Sequence, residues 1–459
     1  MAGSISEALD FQPTPAMLAA ALDEFEDLGS GSGSAVAADV RQKALRTYLQ
    51  AAREPRSVPP QWRHDYASLG FAGLTWSSGR ARVPMLPRAT ARPADDAEND
   101  APALAVENAG GLVHLGSTYL DPAQATIDPR VTLRSLADAR RALPDRVAAA
   151  HLRIIAPETD RFTALATAFQ NCGAYVEILD GVELELPLQL LWLAQPGAGA
   201  AVFPHTVIRL GANARVTIVE RHIGSTETFI AGIVEAELGP GARLDYVAVQ
   251  QTDEGARVFL RRRARCAAGA SVGWHIADLG GALVRSVCGA QLTGAGAAAE
   301  TNAFFFARGF AHIDSIVDVD HDVSRTESRN TVRAAATDRG RGRISGGLRF
   351  GAHATRCVAT VRNDGLILAR DAYLDAAPQL AVPTHHVSAS HATNIGSLDE
   401  EELFYVQSRG ISRAVAERMM ALAFFEPAIG RFPGEPVRDE VRTALDALLD
   451  IVPDTFETS

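Results

Sequence analysis

Between Ala174 and Ser390 helical periodicity is nearly absent and apolar residues alternate with polar or small ones, whereas before and after that stretch apolar residues recur on a helical stripe. A period of two puts successive side chains on opposite faces of a strand, and a period of 3.6 lines one face of a helix. The pattern predicts a β core with helices on both sides. Upstream, Met17, Leu18, Ala21, Leu22, Phe25 and Leu28 mark one helix and Val36, Val40, Ala44, Leu45, Tyr48 and Leu49 a second. The Gly-Ser run from Gly29 to Ser34 separates them, and Pro55, Pro59 and Pro60 close the second. The Ala-, Pro- and Asp-rich segment from Arg88 to Pro102 reads as a surface loop or linker. Two short helices are expected around Leu133, Leu136, Ala137 and Arg140 and around Phe162, Leu165, Ala166 and Phe169. The run from Ala174 to Leu184 then alternates about a turn.

Within the β region the chain repeats. Gly211-Ala212-Asn213-Ala214-Arg215-Val216, Gly239-Pro240-Gly241-Ala242-Arg243-Leu244 and Ala267-Ala268-Gly269-Ala270-Ser271-Val272 each place a small-residue turn before an alternating strand. The spacing from Ala214 to Ala242 to Ala270 is 28 residues each time, and Gly296-Ala297 continues it at 27. A period of this length denotes stacked coils. The expected fold is mainly β, a right-handed parallel β-helix core flanked by N-terminal and C-terminal helical domains. The boundaries expected are 1–105 for a helical region with linker, 106–170 for a mixed α/β segment, 171–397 for the β-helix and 398–459 for the C-terminal helices. In the last of these, Ile411, Val415, Met419 and Leu422 mark a helix with Ser412 as cap and Glu426-Pro427 as stop. Val441, Leu445, Leu448 and Leu449 mark another, and the pair is expected to cap the solenoid.

Composition narrows the function classes. A chain of 459 residues with 47% hydrophobic and 22% charged residues is globular. Its net charge of −11 argues against a nucleic-acid surface. The cluster Arg261-Arg262-Arg263 reads as a solvated face. From Leu186 to Ile208 no charged residue occurs, but three prolines break any membrane-spanning helix there. Cys172, Cys266, Cys288 and Cys357 are scattered and form no CxxC pair, which fits buried thiols in a reducing compartment. The start Met-Ala-Gly-Ser-Ile-Ser-Glu has neither a basic nor an apolar leader region, so a cytoplasmic location without a signal peptide is expected. There is no GxxxxGK[ST] loop and no GxSxG elbow, and Gly340-Arg341-Gly342-Arg343 reads as a coil corner.

The densest polar stretch holds His385, His386 and His391, followed by Asp399 through Glu402 and an apolar helix. Imidazole suits iron. In an extended segment His385 and His391 share one side and His386 the other, so at most two can ligate together, and solvated histidines remain the alternative. A second cluster is Asp314, Asp318, Asp320, His321 and Asp322. It can be read as a solvated strand edge or as the carboxylate face of a β-helix carbohydrate-active enzyme.

His391 with Ala392-Thr393-Asn394-Ile395-Gly396, Leu398-Asp399-Glu400, Leu403-Phe404-Tyr405 and Ser408-Arg409-Gly410-Ile411 resembles the C-terminal signature of the SufB/SufD family of iron–sulfur cluster assembly. The run Phe162 to Phe169, Gly173, Val176, Gly181-Val182 and Leu186-Pro187 resembles the family's approach to its core, and Trp62-Arg63 with Tyr66, Ser68 and Leu69 loosely resembles its N-terminal segment. Ala392, where SufB proteins usually carry Glu, favours the SufD side. The resemblance implies the same β-helix and a non-catalytic scaffold subunit. Its partners would be a SufB-like subunit at the solenoid end and a SufC-like ATPase at the terminal helices. It implies that His391 lies at the cluster-assembly interface, where a transient iron–sulfur cluster or iron meets the partner, with no cofactor tightly bound by this chain alone. Leu403, Phe404, Tyr405, Arg409 and Ile411 would anchor the ATPase, with Arg409 pairing a carboxylate. The departures are Ala389 where relatives have Cys, and His385-His386 where they have Asp-Asp. They keep open a diverged homodimeric binding module.

Overall fold

The computed structural model describes residues 35–51, 82–83, 108–115, 118–120, 128–194, 201–224, 228–383 and 386–449. The expected helix over 15–28, the Trp62-Arg63 segment, the linker over 88–102 and His385 lie outside them. The described chain is a parallel β-solenoid of about seven coils with helices at both ends of the sequence. Each coil contributes one strand to each of two sheets. One sheet runs through Arg215–Gly224, Arg243–Thr252, Ser271–Gly280, Ala298–Ala307, Glu327–Ala336, Val358–Ile367 and Ser388–Ser397. The other runs through Pro204–Leu210, Phe229–Leu238, Arg257–Cys266, Leu283–Leu292, His312–His321, Arg341–Phe350 and Tyr373–Ala381.

The small-residue turns predicted from the repeat are what allows the coils to stack. Asn213, Gly241, Gly269, Gly296, Arg325 and Arg356 occupy the same corner with φ between 56° and 79°. That left-handed conformation favours Gly and Asn. Each of these residues donates its N–H to a carbonyl of the next coil, as Asn213 does to Pro240 and Gly269 to Ala295 at 2.9 and 3.0 Å. The residue that follows turns into the interior. Ala214, Ala242, Ala270 and Ala297 fill that slot completely buried, and Thr326 and Cys357 take it in the next two coils. The repeat therefore outlasts its Gly-Ala spelling.

The outward faces of both sheets are apolar where helices cover them. Helices Ala35–Ala51 and Arg161–Ala168 pack on Phe203, Phe229, Ile233 and Phe259 of the second sheet. The C-terminal helices Arg413–Ile429 and Glu435–Leu449 place Phe425, Ile429, Val441 and Leu445 against Val219, Val247, Leu279, Phe304 and Leu366 of the first sheet. They run across the coils and do not cap the solenoid, which corrects the expectation. The reason is the period-two alternation, which gives the first sheet an apolar outer stripe long enough to bury both helices. Polar contacts fasten the same interface. Arg221 donates to both carboxylate oxygens of Glu440 at 2.7 and 2.6 Å, and Asn302 donates to the Ala428 carbonyl. Pro427, expected to end its helix, sits inside the last turn, and the helix stops two residues later at Ile429. Leu133, expected in a helix, lies in the strand Val131–Ser135, whose Ser135 caps the helix Leu136–Ala142 by accepting from Asp138 N. The described part of the uncharged stretch from Leu186 to Ile208 holds the strands Leu188–Leu193 and Ala201–Val202 and the start of Pro204–Leu210, and no helix among the described residues is long and apolar enough to cross a membrane.

Candidate functional site at the open end of the solenoid

Among the described residues no further strand pairs with the edges of the last coil. Ser388–Ser397 and Tyr373–Ala381 are the terminal strands of the two sheets. Strand register fixes what faces inward there. Ile218, Tyr246, Trp274, Thr301, Asn330, Val361 and His391 are successive partners across the first sheet. The first three belong to the solenoid core, as do the neighbours Ala389 and Ile395 in part. His391 therefore continues an interior ladder, and it is exposed because no coil follows it among the described residues. Its Nε2 lies 3.0 Å from the Thr393 hydroxyl. The ladder partner Val361 borders a small cavity of about 20 Å³ whose lining includes Asn330, Asn363 and Pro378, space for a single water. Among the described residues no three His, Cys, Asp or Glu side chains converge on a common point. Of the described histidines nearby, His386 is exposed, and its carbonyl accepts from Arg356 N in a corner.

The helix Glu400–Gln407 follows this edge directly. Asp399 caps it by accepting from Glu401 N and Glu402 N, and three acidic residues fill its first turn, where the helix dipole favours them. Leu403 is fully buried, while Phe404 is 72% exposed and Tyr405 59%. Val415 and Met419 on the next helix are exposed as well. Ile411 is half-buried. Within the chain Arg409 donates to the Tyr405 hydroxyl at 2.7 Å, its guanidinium 4.9 Å from the ring centre. One turn of helix separates the two residues, so the aromatic face is the nearer partner. The salt bridges of this region belong to Arg413, with Glu400 and Glu417.

The second acidic cluster is a charge ladder on the outer face of the second sheet. Arg285, Asp314, Arg343 and Asp375 follow one another across strands, with Arg285–Asp314 and Arg343–Asp375 separations of 3.9 and 3.8 Å. Asp320 is held by Arg263 and Arg349, and Asp318 accepts from Gly347 N. Arginines thus neutralise Asp314 and Asp320, while Asp318 and Asp322 accept from Gly347 N and the Gln291 amide, so most of the cluster is a paired ladder and not a solvated edge. His321 has a structural role, with Nδ1 2.7 Å from the Thr326 hydroxyl, Nε2 2.9 Å from that of Ser328, and its ring stacked on Phe350.

Sequence reasoning missed the interior polar cluster. Arg262, expected in a solvated face, is completely buried, pairs Glu220 at 3.4 Å and donates to Ser286. Glu220 also accepts from Trp192 Nε1 at 2.9 Å and lies 3.2 Å from His222 Nε2. Burial raises the Glu220 pKa, but His222, Arg262 and Trp192 outweigh it and hold the group at about 2. Burial pushes the neighbouring Asp278 upward, with Arg262 offsetting part of the rise. The signal was present: alternation puts Arg261 and Arg263 outside and Arg262 inside. The four cysteines are buried free thiols, and burial pushes Cys266 and Cys288 up to about 12. Those two offer no thiolate at neutral pH.

Comparison with known proteins bears on this geometry. The family description "SUF system FeS cluster assembly, SufBD core domain" matches residues 193–424, just over half of the chain. The chain is 25% identical over 286 residues to the iron–sulfur cluster assembly protein SufB of Bacillus subtilis, covering 62% of this chain and 61% of that protein. It is 28% identical over 309 residues to a SufBD family protein of Mycobacterium tuberculosis, covering 66% and 77%. To SufD of Escherichia coli it is 24% identical over 296 residues, covering 63% and 67%. Identity to SufB and to SufD is thus nearly equal.

Proposed function

This chain belongs to the SufBD family of the SUF iron–sulfur cluster assembly system, and on that premise we propose that it works as a non-catalytic SufD-type scaffold subunit in the cytoplasm. Its open solenoid end receives a SufB-like subunit, and the exposed face of Phe404 and Tyr405 receives a SufC-like ATPase. The observation that carries this reading is the placement of His391 on the interior ladder of an unfinished coil. A partner coil stacked there would enclose the imidazole between two solenoids and leave it one metal-binding nitrogen to offer. Iron or a nascent cluster is the cargo. Sulfur ligands come from the partner, since position 389 is Ala and the nearest ladder thiol, Cys357, is buried. Ala392 beside the histidine supports the SufD side of the family.

The mechanical part follows from connectivity. Helices Arg413–Ile429 and Glu435–Leu449 are fastened over several coils, whereas Glu400–Gln407 buries one residue, is tied to the next helix through Glu400–Arg413, and closely follows the His391 strand. A pull on that short helix when two ATPase subunits close therefore acts on the edge that carries His391. Co-expression with the SufB-like and SufC-like proteins of the same source tests the proposal. A stable mixed complex, with an ATPase rate above that of the ATPase subunit alone, is the expected result. A chain that ignores both partners overturns it.

A further inference from the structure

The coils turn a second time at the far ends of the first-sheet strands. Ala298–Ala307, Glu327–Ala336 and Val358–Ile367 end in register, and the chain passes to the second sheet through residues 308–311, 337–340 and 368–372. These corners expose an aromatic and cationic patch. Phe310 is 80% exposed, the most of any large apolar residue among those described, and the Arg339 guanidinium lies 5.5 Å from its ring centre. In the next column Arg341 aligns with Tyr373, itself 58% exposed. Arg339, Arg341 and Arg370 are exposed, and among the described residues none of them has an ion-pair partner. The carboxylates beside them are Asp338, which accepts from Gly309 N, Asp371, and Glu254, which Arg308 already pairs. Cations are thus in excess at this corner of a chain whose net charge is −11.

Arginines and an aromatic ring left uncovered suit an acidic segment with apolar side chains. The chain holds one. Residues 450–459, which lie outside the described residues, carry Asp450, Asp454 and Glu457 with Ile451, Val452 and Phe456, and no Lys or Arg. The point where the described chain leaves off brings them near the corner. Arg418 pairs Asp446 and Arg442 pairs Glu426, so Arg413–Ile429 and Glu435–Leu449 run antiparallel and Leu449 lies beside the first half of the earlier helix. That half follows Glu400–Gln407, which starts just after Ser388–Ser397 ends, on the same side of the first sheet as these corners. Ten extended residues reach about 33 Å and neighbouring coils lie about 4.8 Å apart, so the patch is within range.

We propose that residues 450–459 lie across this corner as an acidic strap, their carboxylates among Arg339, Arg341 and Arg370 and their apolar side chains over Phe310. Charge decides against the other exposed apolar face within reach. Phe404, Tyr405, Val415 and Met419 stand beside Asp399, Glu400, Glu401, Glu402 and Glu417, with only Arg409 and Arg413 to offset them, so that face repels an acidic segment. The strap therefore covers the corner and leaves the face proposed for the ATPase open.

Hydroxyl-radical labelling of the full chain, read by mass spectrometry, tests this by comparing Phe310 with Phe404. The two rings are similarly exposed in the described structure, at 80% and 72%, so a bare corner labels both alike. The strap lowers labelling of Phe310 by about fivefold relative to Phe404, the factor that about 1 kcal/mol of docking gives. Asp450→Lys, Asp454→Lys and Glu457→Lys together return the two rings to equal labelling. The comparison in the unmutated chain does not depend on that variant, and equal labelling there overturns the inference. Protection of Phe310 that survives the charge reversal overturns it as well, as does protection that disappears on dilution, the mark of a second copy. Protection of Phe404 in place of Phe310 overturns it and moves the segment to the other face. None of these outcomes touches pairing with the SufB-like subunit, so the scaffold reading stands or falls separately.

Discussion

At its first coils the solenoid finishes on short strands. Val131–Ser135 lies antiparallel to Cys172–Ile178 and leads into helices that cover Tyr175 and Val207, and the other sheet tapers through Thr118–Leu120 to the two residues Arg82–Val83. At its last coil it finishes on strands of nine and ten residues in parallel register, with no helix across them among the described residues. The inward polar residues differ in the same way. Glu220 and Arg262 near the first end satisfy each other in the dark of the core, while His391 occupies an equivalent inward row with solvent on its open side. A polar group deep in the stack is held by its partners, whereas the same kind of group at the open end faces solvent. On the function proposed above, stability and function are divided along the axis.

The largest expected effect breaks the closed half. Arg262→Ala leaves Glu220 buried without its guanidinium, a change that costs about 3–5 kcal/mol when a buried pair loses one member. Urea denaturation should show the midpoint falling with an unchanged slope. A loss under about 1 kcal/mol would mean that His222 and Trp192 suffice to hold the carboxylate.

Acid comes next. Burial lowers the His321 pKa from 6.5 to about 4, with Asp320 opposing the shift weakly. The unfolded chain takes up this proton first as pH falls, so the contribution of neutral His321 is full above about pH 6.5 and is lost on acidification through pH 4. The slope approaches about 1.4 kcal/mol per pH unit for the one proton. Denaturation midpoints at pH 7 and pH 5 should separate in the native chain and draw together in His321→Gln. Equal separation in both would assign the acid sensitivity elsewhere.

Much of this division was legible from residue order. The Gly-Ala turns at Ala214, Ala242 and Ala270 announced the coils because only a small residue fits the buried corner beneath a left-handed turn. Once Arg325-Thr326 and Arg356-Cys357 took over the corner, that signal faded, although the backbone kept the conformation. The position of His391 on an inward row was half legible, since alternation gave its side of the strand but not which side faced the core. The charge ladder from Arg285 to Asp375 was hidden because its partners stand one coil apart, about thirty residues away in sequence. The C-terminal helices were placed at the wrong surface. An apolar helix face says that something covers it and is silent on which sheet, and the outer stripe from Val219 to Leu366 becomes visible only when the strands are in register.

The open half should tolerate changes that abolish its partnerships. Replacing Phe404 and Tyr405 together by Ser removes two exposed rings, and the fold should lose no more than about 0.5 kcal/mol. Affinity for the SufC-like ATPase should drop by about tenfold or more if these rings fill a groove on it. Retained affinity would transfer the docking role to the Val415 and Met419 side of the neighbouring helix. Leu403→Ala is the contrasting change. It empties a buried site and should cost about 2–4 kcal/mol while leaving the exposed rings in place.

The smallest structural effect, and the one that separates the ends most sharply, is expected at His391. Its imidazole hydrogen-bonds the Thr393 hydroxyl on the same exposed strand, so His391→Ala should leave stability within about 0.5 kcal/mol of the native chain. The strand backbone is untouched, so complex formation with the SufB-like subunit should persist. What should fall is the yield of iron–sulfur cluster in the reconstituted complex, followed by its visible absorption as iron and sulfide are supplied. Three results then point to three places. Normal yield would remove His391 from the assembly chemistry, and loss of the complex would make it a packing residue of the seam. Loss of yield with the complex intact would identify the imidazole as the group that this chain contributes to its cargo.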